Sequence, residues 1–210
     1  MSDDTAPKVV PRAAASLLVL RWEDATPAGR EEAPLVLMGM RGAKHKFMPN
    51  RLVFPGGAVD PADHHAAVAA PLPEHALRRL EKAADPSLAR ALGVAAAREL
   101  AEETGLTLGE PPLLHGLDYL CRAVTPEPSP VRFDARFLVV DAEHVSGALA
   151  GSGELEDLRW WGVEEALAVD LAGPQRRVLQ WLKQWLAMSA AERAAQTQVA
   201  TLWWRDWVLE

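Results

Sequence analysis

The amino-acid sequence predicts an α/β fold in a single domain spanning residues 1–210, and three observations support this prediction. Short apolar runs bounded by turn residues indicate strands. Other segments place apolar residues at helical spacing. The hydrophobic content of 49%, with 24% charged residues, is ordinary for a globular protein and is enough for one substantial core.

The charge and cysteine content exclude several classes of partner. A net charge of −7 and a pI near 5.4 argue against binding to nucleic acid or anionic membranes, which both attract basic surfaces. Cys121 is the single cysteine, so an internal disulfide is impossible and a reducing compartment fits. Since no apolar run approaches the roughly 20 residues of a membrane helix, we expect a soluble, cytoplasmic protein.

The predicted strands are separated by segments rich in turn residues. Residues 1–11 are predicted to be a disordered leader. Strands are predicted over residues 13–22, 34–41, 51–54, 113–124, 132–142 and 155–163. The third of these is stopped by the breaker sequence Pro55-Gly56-Gly57.

The predicted helices include one long alanine-rich region. Residues 61–92 have the composition of a helical insertion with three short helices, each with a proline in its first turn. Residues 94–105 form the strongest predicted helix, which ends at Gly105. Residues 174–188 are predicted to form an amphipathic helix after a short one at EEALAV. The apolar tail is expected to pack back on the body.

Eight tryptophans are unusual for a chain of this length. Trp203, Trp204 and Trp207 crowd the tail, while Trp181 and Trp185 share one helix face. Core packing or a homodimer contact is the expected role, and stacking on a substrate base is the alternative.

Three glutamates occupy one face of the helix predicted over residues 94–105. Glu99, Glu102 and Glu103 stand at positions i, i+3 and i+4, within an arc of about 100°. Such like-charged neighbours cost roughly 0.2–0.5 kcal/mol per pair. A divalent cation would remove the repulsion, and carboxylates are ligands that Mg²⁺ and Mn²⁺ prefer. A solvated acidic face is the alternative interpretation.

The stretch RELAEETGL, with FPGG upstream, resembles the Nudix box. All seven specified positions of its second half match, namely Arg98, Glu99, Leu100, Glu102, Glu103, Gly105 and Leu106. In the first half Gly57 matches, but Asp63 stands where the motif has Glu. Between Asp63 and Arg98 lie 34 residues where the motif has seven, so the box is split by the insertion. A similar split occurs in the coenzyme A diphosphatase-like subgroup.

The resemblance implies a Nudix α/β/α sandwich with a mixed β-sheet and the helical insertion. That fold would bring the Pro-Gly-Gly turn against the N-terminal half of the helix predicted over residues 94–105, which carries the three glutamates and is called the glutamate helix below. The resemblance also implies hydrolysis of a diphosphate linkage with Mg²⁺ or Mn²⁺ as cofactor. The implied metal ligands are Glu99, Glu102, Glu103 and the carbonyl of Gly57, and the implied catalytic residues are Glu99, Glu102, Arg98 and Glu154.

Two roles stay open within this set. Arg98 would hold a glutamate in orientation, with a surface ion pair as the alternative. The general base would be Glu99 or Glu154, with Glu156 as a close rival. The departure at Asp63 leaves that residue without an assigned role.

The substrate is predicted from the segment before FPGG. Residues 37–57 have the spacing of a coenzyme A signature, and Arg41, Lys46 and Arg51 are the candidate substrate-binding residues. Coenzyme A or acyl-coenzyme A is therefore the leading substrate. ADP-ribose, another nucleotide sugar or a dinucleotide remains open, as does a non-catalytic module that senses a nucleotide. The insertion could be a lid, an oligomer contact or passive decoration.

Overall fold

The computed structural model describes residues 9–22, 33–42, 50–127 and 129–210. Its strands are β1 (Arg12–Arg21), β2 (Leu35–Arg41), β3 (Leu52–Val53), β4 (Gly56–Ala58), β5 (Leu106–Thr107), β6 (Asp118–Val124), β7 (Phe133–Asp141), β8 (Ser146–Gly147), β9 (Leu155–Gly162), β10 (Ala200–Trp203) and β11 (Asp206–Leu209). Its α-helices are α1 (Glu74–Leu80), α2 (Pro86–Thr104), α3 (Val163–Ala168), α4 (Gly173–Leu186) and α5 (Ala190–Ala195).

A mixed sheet organises these elements. In the described ranges its strand order is β11-β10-β6-β7-β1-β2-β3, with β4 added beside β1 and β9 beside β2. The pairs β1–β7 and β6–β10 are parallel, and the other pairs are antiparallel. The predicted α/β class with a mixed sheet is confirmed.

Both faces of the sheet are covered by helices. Along β1, Leu17 and Val19 belong to the core cluster that includes the apolar side of α2. Leu18 and Leu20, which point the other way, belong to the cluster that includes α4. This alternation of period two, with apolar residues on both faces, is what a strand between two helical layers requires.

The glutamate helix is longer than predicted. Residues 86–104 form one helix of 19 residues. The last short helix predicted in the insertion, at residues 85–92, and the helix predicted over residues 94–105 are therefore parts of a single helix, and predicting them as separate helices was wrong. Asp85 caps its start by accepting from the N–H of Leu88 at 2.9 Å, and Pro86 occupies the first turn. Gly105 ends it with φ of 72°, as expected.

The segment 61–92 is less helical than its composition indicated. Pro61–His64 forms a single 3₁₀ turn, α1 follows, and the rest of the helical content is the start of α2. Arg79 of α1 is buried and donates to the carboxylate of Asp118 at the start of β6. The segment is therefore attached to the sheet through a charged pair as well as through apolar packing.

Two strands begin or end at other residues than predicted, and the C-terminal tail adds a hairpin to the sheet. The two glycines of the Pro-Gly-Gly breaker, with Ala58, form β4, since their backbone pairs with Ala14–Ser16 of β1. The strand predicted from residue 113 begins at Asp118, after a 3₁₀ turn at Leu114–Gly116. The tail packs back as expected, as the hairpin β10–β11 joined in parallel to β6.

The tryptophans divide between the core and the surface. Trp185 is buried, and Trp181 packs on Trp207 with ring centroids 5.1 Å apart. Trp203 and Trp204 are 40% and 60% exposed, so core packing does not account for these two, and the homodimer contact stays a prediction for them. They lie at the turn of the β10–β11 hairpin, at the edge of the sheet. None of the helices in the described ranges is long and apolar enough to cross a membrane.

Candidate functional site

The last two turns of α2 carry the three predicted glutamates, which differ in exposure. Glu103 is buried, with 3% of its surface exposed. The side chain of Glu99 is 13% exposed and that of Glu102 is 59% exposed. The helical spacing therefore places them on one side of the helix, while the surrounding chain buries Glu103, partly buries Glu99 and leaves Glu102 exposed.

Strand β4 covers the carboxylates of Glu99 and Glu103. The N–H of Gly56 donates to Oε2 of Glu103 at 2.9 Å. A Cβ atom at Gly57 would lie 2.3 Å from Oε1 of Glu99, so this carboxylate rests directly on the glycine backbone. The expected contact between the Pro-Gly-Gly turn and the helix is present. It lies in the C-terminal turns of α2 and not in an N-terminal half, because the helix begins as early as Pro86.

Arg98 lies at the centre of this arrangement. Its guanidinium binds both carboxylate oxygens of Asp63 at 3.0 Å and donates to the carbonyl of Ala58 at 3.0 Å. It also reaches Oε1 of Glu99 at 2.8 Å and Oε2 of Glu102 at 3.1 Å. The hydrogen bonds to Asp63 are the main cause that raises the pKa of Arg98, so the group stays charged. These contacts go well beyond those of a surface ion pair.

Asp63 is a residue to which the sequence analysis assigned no role. It is 2% exposed, and it also accepts from the N–H of Asp60 at 2.8 Å. The shorter side chain reaches Arg98 because the 3₁₀ turn after β4 carries Asp63 close to α2. The available signal was an acidic residue six positions after Gly57, where the motif has a glutamate.

Burial makes the two inner glutamates reluctant to ionise. Desolvation raises the pKa of Glu103 to about 7, against the opposing effect of the Gly56 N–H, and the charge of Glu99 raises it further. Desolvation also raises the pKa of Glu99, while Arg98 lowers it. Neighbouring carboxylates with raised pKa values, placed beside a glycine turn, are typical of a functional site.

The carboxylates suit a divalent cation in chemistry, although they are not gathered into a preformed cage. Among the described residues, no three Asp, Glu, His or Cys side chains stand together as a ready metal site. Glu99 and Glu102 are paired with Arg98, and Glu103 with Gly56. Hard oxygen donors that repel each other in a desolvated position nevertheless fit Mg²⁺ or Mn²⁺. The assignment of metal ligands stays a prediction.

The candidate general base Glu154 lies in the exposed loop before β9. Its charge contributes to the raised pKa of both Glu99 and Glu103, which places it near them. Its carbonyl accepts from the N–H of Gly42 at 3.4 Å, which ties this loop to the end of β2. The rival Glu156 is exposed on β9. The choice of base stays a prediction.

A cavity of about 360 Å³ adjoins the glutamates on the other side of β4. Ala14 and Ser16 of β1 line it, and they alternate with residues that face α2, so it opens on the α4 face of the sheet. Gly56 and Gly57 border both the cavity and the carboxylates. The remaining lining residues are Arg12, Arg41, Val53, Phe54, Ala58, Ala123, Val124, Thr125, Pro126, Phe133, Ala135, Phe137, Pro174, Gln175, Leu202 and Trp204.

The three candidate substrate-binding residues are placed differently. Arg41 lines the cavity, and its charge lowers the pKa of Glu103, so it stands between the two regions. The guanidinium of Arg51 pairs with the carboxylate of Asp170, in the loop between α3 and α4, and donates to its carbonyl at 3.2 Å. Lys46 lies outside the described residues.

Comparisons with known proteins identify the kind of protein that has this arrangement. Residues 90–182 match the family model of the NUDIX domain. A NUDIX hydrolase from Alicyclobacillus acidocaldarius is similar in structure, with a TM-score of 0.64 and 26% identity over 91% of this chain and 98% of that one. No curated protein matches.

Two further solved structures share the fold. A MutT NUDIX hydrolase from Burkholderia pseudomallei has a TM-score of 0.52 and 19% identity, over 83% of this chain and 99% of that one. A MutT protein from Methanosarcina mazei Go1 has a TM-score of 0.53 and 17% identity, over 88% of this chain and all of that one (100%). The chain thus has the fold of the Nudix hydrolases, and the match of residues 90–182 to the NUDIX domain supports a hydrolase of this type.

Proposed function

We propose that the protein hydrolyses a diphosphate linkage in a nucleoside diphosphate derivative, with Mg²⁺ or Mn²⁺ as cofactor. The observation that carries this proposal is the shared wall formed by β4. One side of Gly56 and Gly57 contacts the desolvated carboxylates of Glu99 and Glu103, and the other side borders the 360 Å³ cavity. A substrate bound in the cavity would therefore lie against the same two glycines as the glutamates.

The charged residues at the end of α2 have different roles in this proposal. Glu99 and Glu103 provide the main carboxylate oxygens for the metal, with Glu102 and the carbonyl of Gly57 as additional ligands. The bound cation would neutralise the diphosphate and lower the pKa of an attacking water. Arg98 keeps the Glu99 carboxylate oriented through its 2.8 Å contact and is itself fixed by Asp63, so it acts as a positioning residue.

A carboxylate beside the metal site would take the proton of the water. Glu154 is the leading candidate because it is exposed to solvent yet close enough to raise the pKa of Glu99 and Glu103. Its loop is not covered by other elements, so a substrate could approach it. Glu99 and Glu156 are the other candidates, and comparison of pH–rate profiles for their glutamine variants would separate them.

The leading substrate is coenzyme A or an acyl-coenzyme A. Arg41 lines the cavity next to the carboxylates, and a guanidinium there would bind phosphate oxygens in two places at once. Arg41 and FPGG also match the coenzyme A signature, and Lys46 and Arg51 would add positive charge nearby. The Nudix box split after Asp63 resembles that of the coenzyme A diphosphatase-like subgroup, with Asp63 acting in place of the glutamate.

A substrate panel tests the activity. The protein is incubated with Mg²⁺ or Mn²⁺ and coenzyme A, acetyl-coenzyme A, ADP-ribose, NADH or diadenosine polyphosphates, and the products are separated by chromatography. Glu103→Gln removes a proposed metal ligand and should lower turnover at least a hundredfold. Glu81→Gln, which changes an exposed glutamate at the end of α1, is the matched control and should leave turnover unchanged.

The outcomes distinguish the alternatives. Cleavage of coenzyme A into two phosphate-bearing products supports the specific proposal. Cleavage of ADP-ribose or a dinucleotide without cleavage of coenzyme A would overturn the proposed substrate and support the proposed reaction. If no compound is cleaved faster by the native protein than by Glu103→Gln, the hydrolase proposal fails, and tight nucleotide binding without turnover would then indicate a sensing module.

A further inference from the structure

One side chain in the cavity has a polar atom without a partner. Gln175, in the first turn of α4, is 9% exposed and lines the cavity. Among the described residues its Oε1 atom accepts no hydrogen bond, although the atom is buried. A buried acceptor without a donor costs free energy, and such atoms in native proteins require an explanation. The backbone beside it gives little help, since Pro174 has no N–H to donate.

The surroundings of Gln175 indicate what kind of group would supply the missing donor. Phe54 and Phe137 line the same cavity and pack edge to face, with ring centroids 6.2 Å apart. An apolar cavity with a few placed polar groups favours a flat ligand that the polar groups orient. An aromatic heterocycle provides both a face for the phenyl rings and an N–H at its edge.

A second buried atom without a partner belongs to a charged side chain of the same cavity. The Nε of Arg41 is also buried without a hydrogen-bond partner among the described residues, and Arg41 lines the cavity near Glu103. Its positive charge suits the phosphates of a nucleotide. The uncharged amide of Gln175 suits an uncharged ring of the same ligand.

We propose that Gln175 is a specificity-determining residue, whose Oε1 accepts a hydrogen bond from an N–H on the heteroaromatic ring of the substrate. An adenine ring, with its exocyclic amino group, is the chemical class that fits. This inference rests on the proposed function, since it assumes that a nucleotide occupies the cavity. A site that hydrogen-bonds an N–H discriminates against an analogue that lacks it, because the buried acceptor is then left unpaired.

The test measures binding and not hydrolysis. Isothermal titration calorimetry compares AMP with purine riboside 5′-monophosphate, which lacks the amino group and has no other N–H on the ring. Neither nucleotide contains a diphosphate bond, so turnover cannot affect the result. We expect the native protein to bind AMP roughly tenfold more tightly, as one hydrogen bond to a buried acceptor implies.

Variants at one helix separate the role of Oε1 from general packing. Gln175→Met keeps the length of the side chain and should bind both nucleotides within about twofold, since a single hydrogen bond is removed. Gln175→Glu keeps an acceptor and should retain the preference for AMP. Gln180→Met changes an exposed glutamine on the same helix and should behave as the native protein. Thermal melts confirm that each variant is folded.

Each result decides the inference. Equal binding of the two nucleotides by the native protein, a preference that survives in Gln175→Met, or no binding of either nucleotide would overturn it. A preference for AMP that Gln175→Met removes, in a protein that cleaves no diphosphate, would support the inference and reject the proposed function alone. Diphosphate cleavage without any such preference would do the reverse.

Discussion

The guanidinium of Arg98 binds the carboxylate of Asp63 through two hydrogen bonds of 3.0 Å, although the two residues are 35 positions apart in the sequence. The chain therefore leaves the glycine turn at Asp63, forms α1 and the start of α2, and returns to the same point. The segment between them does not separate the glycine turn from the glutamates. Arg98 contacts both sides of this junction, because it also donates to the carbonyl of Ala58.

Removing the charge of Asp63 tests whether this contact positions the glutamates. In Asp63→Asn a buried partner of Arg98 loses its charge, and breaking such a pair lowers the free energy of unfolding by about 3 kcal/mol. Arg98 would then hold Glu99 less firmly, so we also expect kcat to fall at least tenfold with a smaller change in KM. Urea denaturation and steady-state kinetics, on whichever substrate the panel shows to be cleaved, measure the two effects.

The matched control for this prediction is Asp60→Asn. The carboxylate of Asp60 also lies near Arg98, at 3.9 Å, but its side chain is 58% exposed. An exposed pair contributes little, so stability should change by less than about 1 kcal/mol. If both variants behave alike, the buried contact of Asp63 has no special role.

The adjacent glycines of β4 should respond differently to the same substitution. A Cβ at Gly56 would lie 2.4 Å from the backbone oxygen of Ala15, which cannot move without distorting β1. We therefore expect Gly56→Ala to lower the free energy of unfolding by about 1–3 kcal/mol. A Cβ at Gly57 would meet the end of the Glu99 side chain, which can rotate away.

Gly57→Ala should therefore reduce activity with little loss of stability. The displaced Glu99 carboxylate would leave its position against β4, and we expect kcat/KM to fall at least tenfold. Thermal melts and kinetics on both glycine variants provide the comparison. A Gly57→Ala protein with native activity would show that the observed position of Glu99 is not needed for turnover.

The raised pKa of Glu103 predicts how stability depends on pH in the absence of divalent cations. Its pKa is about 7 in the folded protein and near its ordinary value of 4.5 in the unfolded chain. Between these values the folded state holds a proton that the unfolded state has released. The free energy of unfolding should therefore fall as the pH rises from about 4.5 to 7, by about 3 kcal/mol at most, and then level off.

Glu103→Gln should remove this contribution. We expect the variant to gain stability relative to the native protein as the pH rises through this window, as measured by urea denaturation with a chelator present. Glu102→Gln changes an exposed neighbour and should keep the native pH dependence. Parallel curves for the native protein and Glu103→Gln would show that Glu103 ionises normally in the folded state.

The sequence predicted the placement of the three glutamates on one helix face, but it did not predict what surrounds them. The positions of Glu99, Glu102 and Glu103 on one side of a helix follow from the helical repeat alone. Their unequal burial does not, because it depends on β4 folding over Glu99 and Glu103 from a distant part of the chain. Local spacing contains no information about that contact. The glycines of β4 also predicted a turn where the structure has a strand.

Asp63 and Gln175 show two further limits of local reasoning. The contact of Asp63 with Arg98 depends on where the 3₁₀ turn places a shorter side chain, which a motif with fixed residue types does not describe. Gln175 has a polar side chain at the start of an amphipathic helix, where exposure is the usual outcome. Its burial arises because the first turn of α4 closes one side of the cavity.

The contact between Arg79 and Asp118 predicts that the segment between β4 and α2 is a fixed wall and not a moving lid. Arg79 is 3% exposed, and its guanidinium also donates to Oε1 of Gln196 at 3.1 Å, so α1 is held by two separate parts of the chain. Hydrogen exchange should therefore be as slow in α1 as in β6, and unchanged when substrate binds.

Arg79→Met tests the same contact by mutation. It leaves the Asp118 carboxylate without its buried partner, so we expect a loss of about 3 kcal/mol in the free energy of unfolding and faster exchange confined to α1. Adding Asp118→Asn should restore part of that stability, because the uncompensated charge is then absent. Arg78→Met, which changes the exposed arginine beside it, should have an effect of less than about 1 kcal/mol. Fast exchange in native α1 that slows on substrate binding would instead identify the segment as a lid.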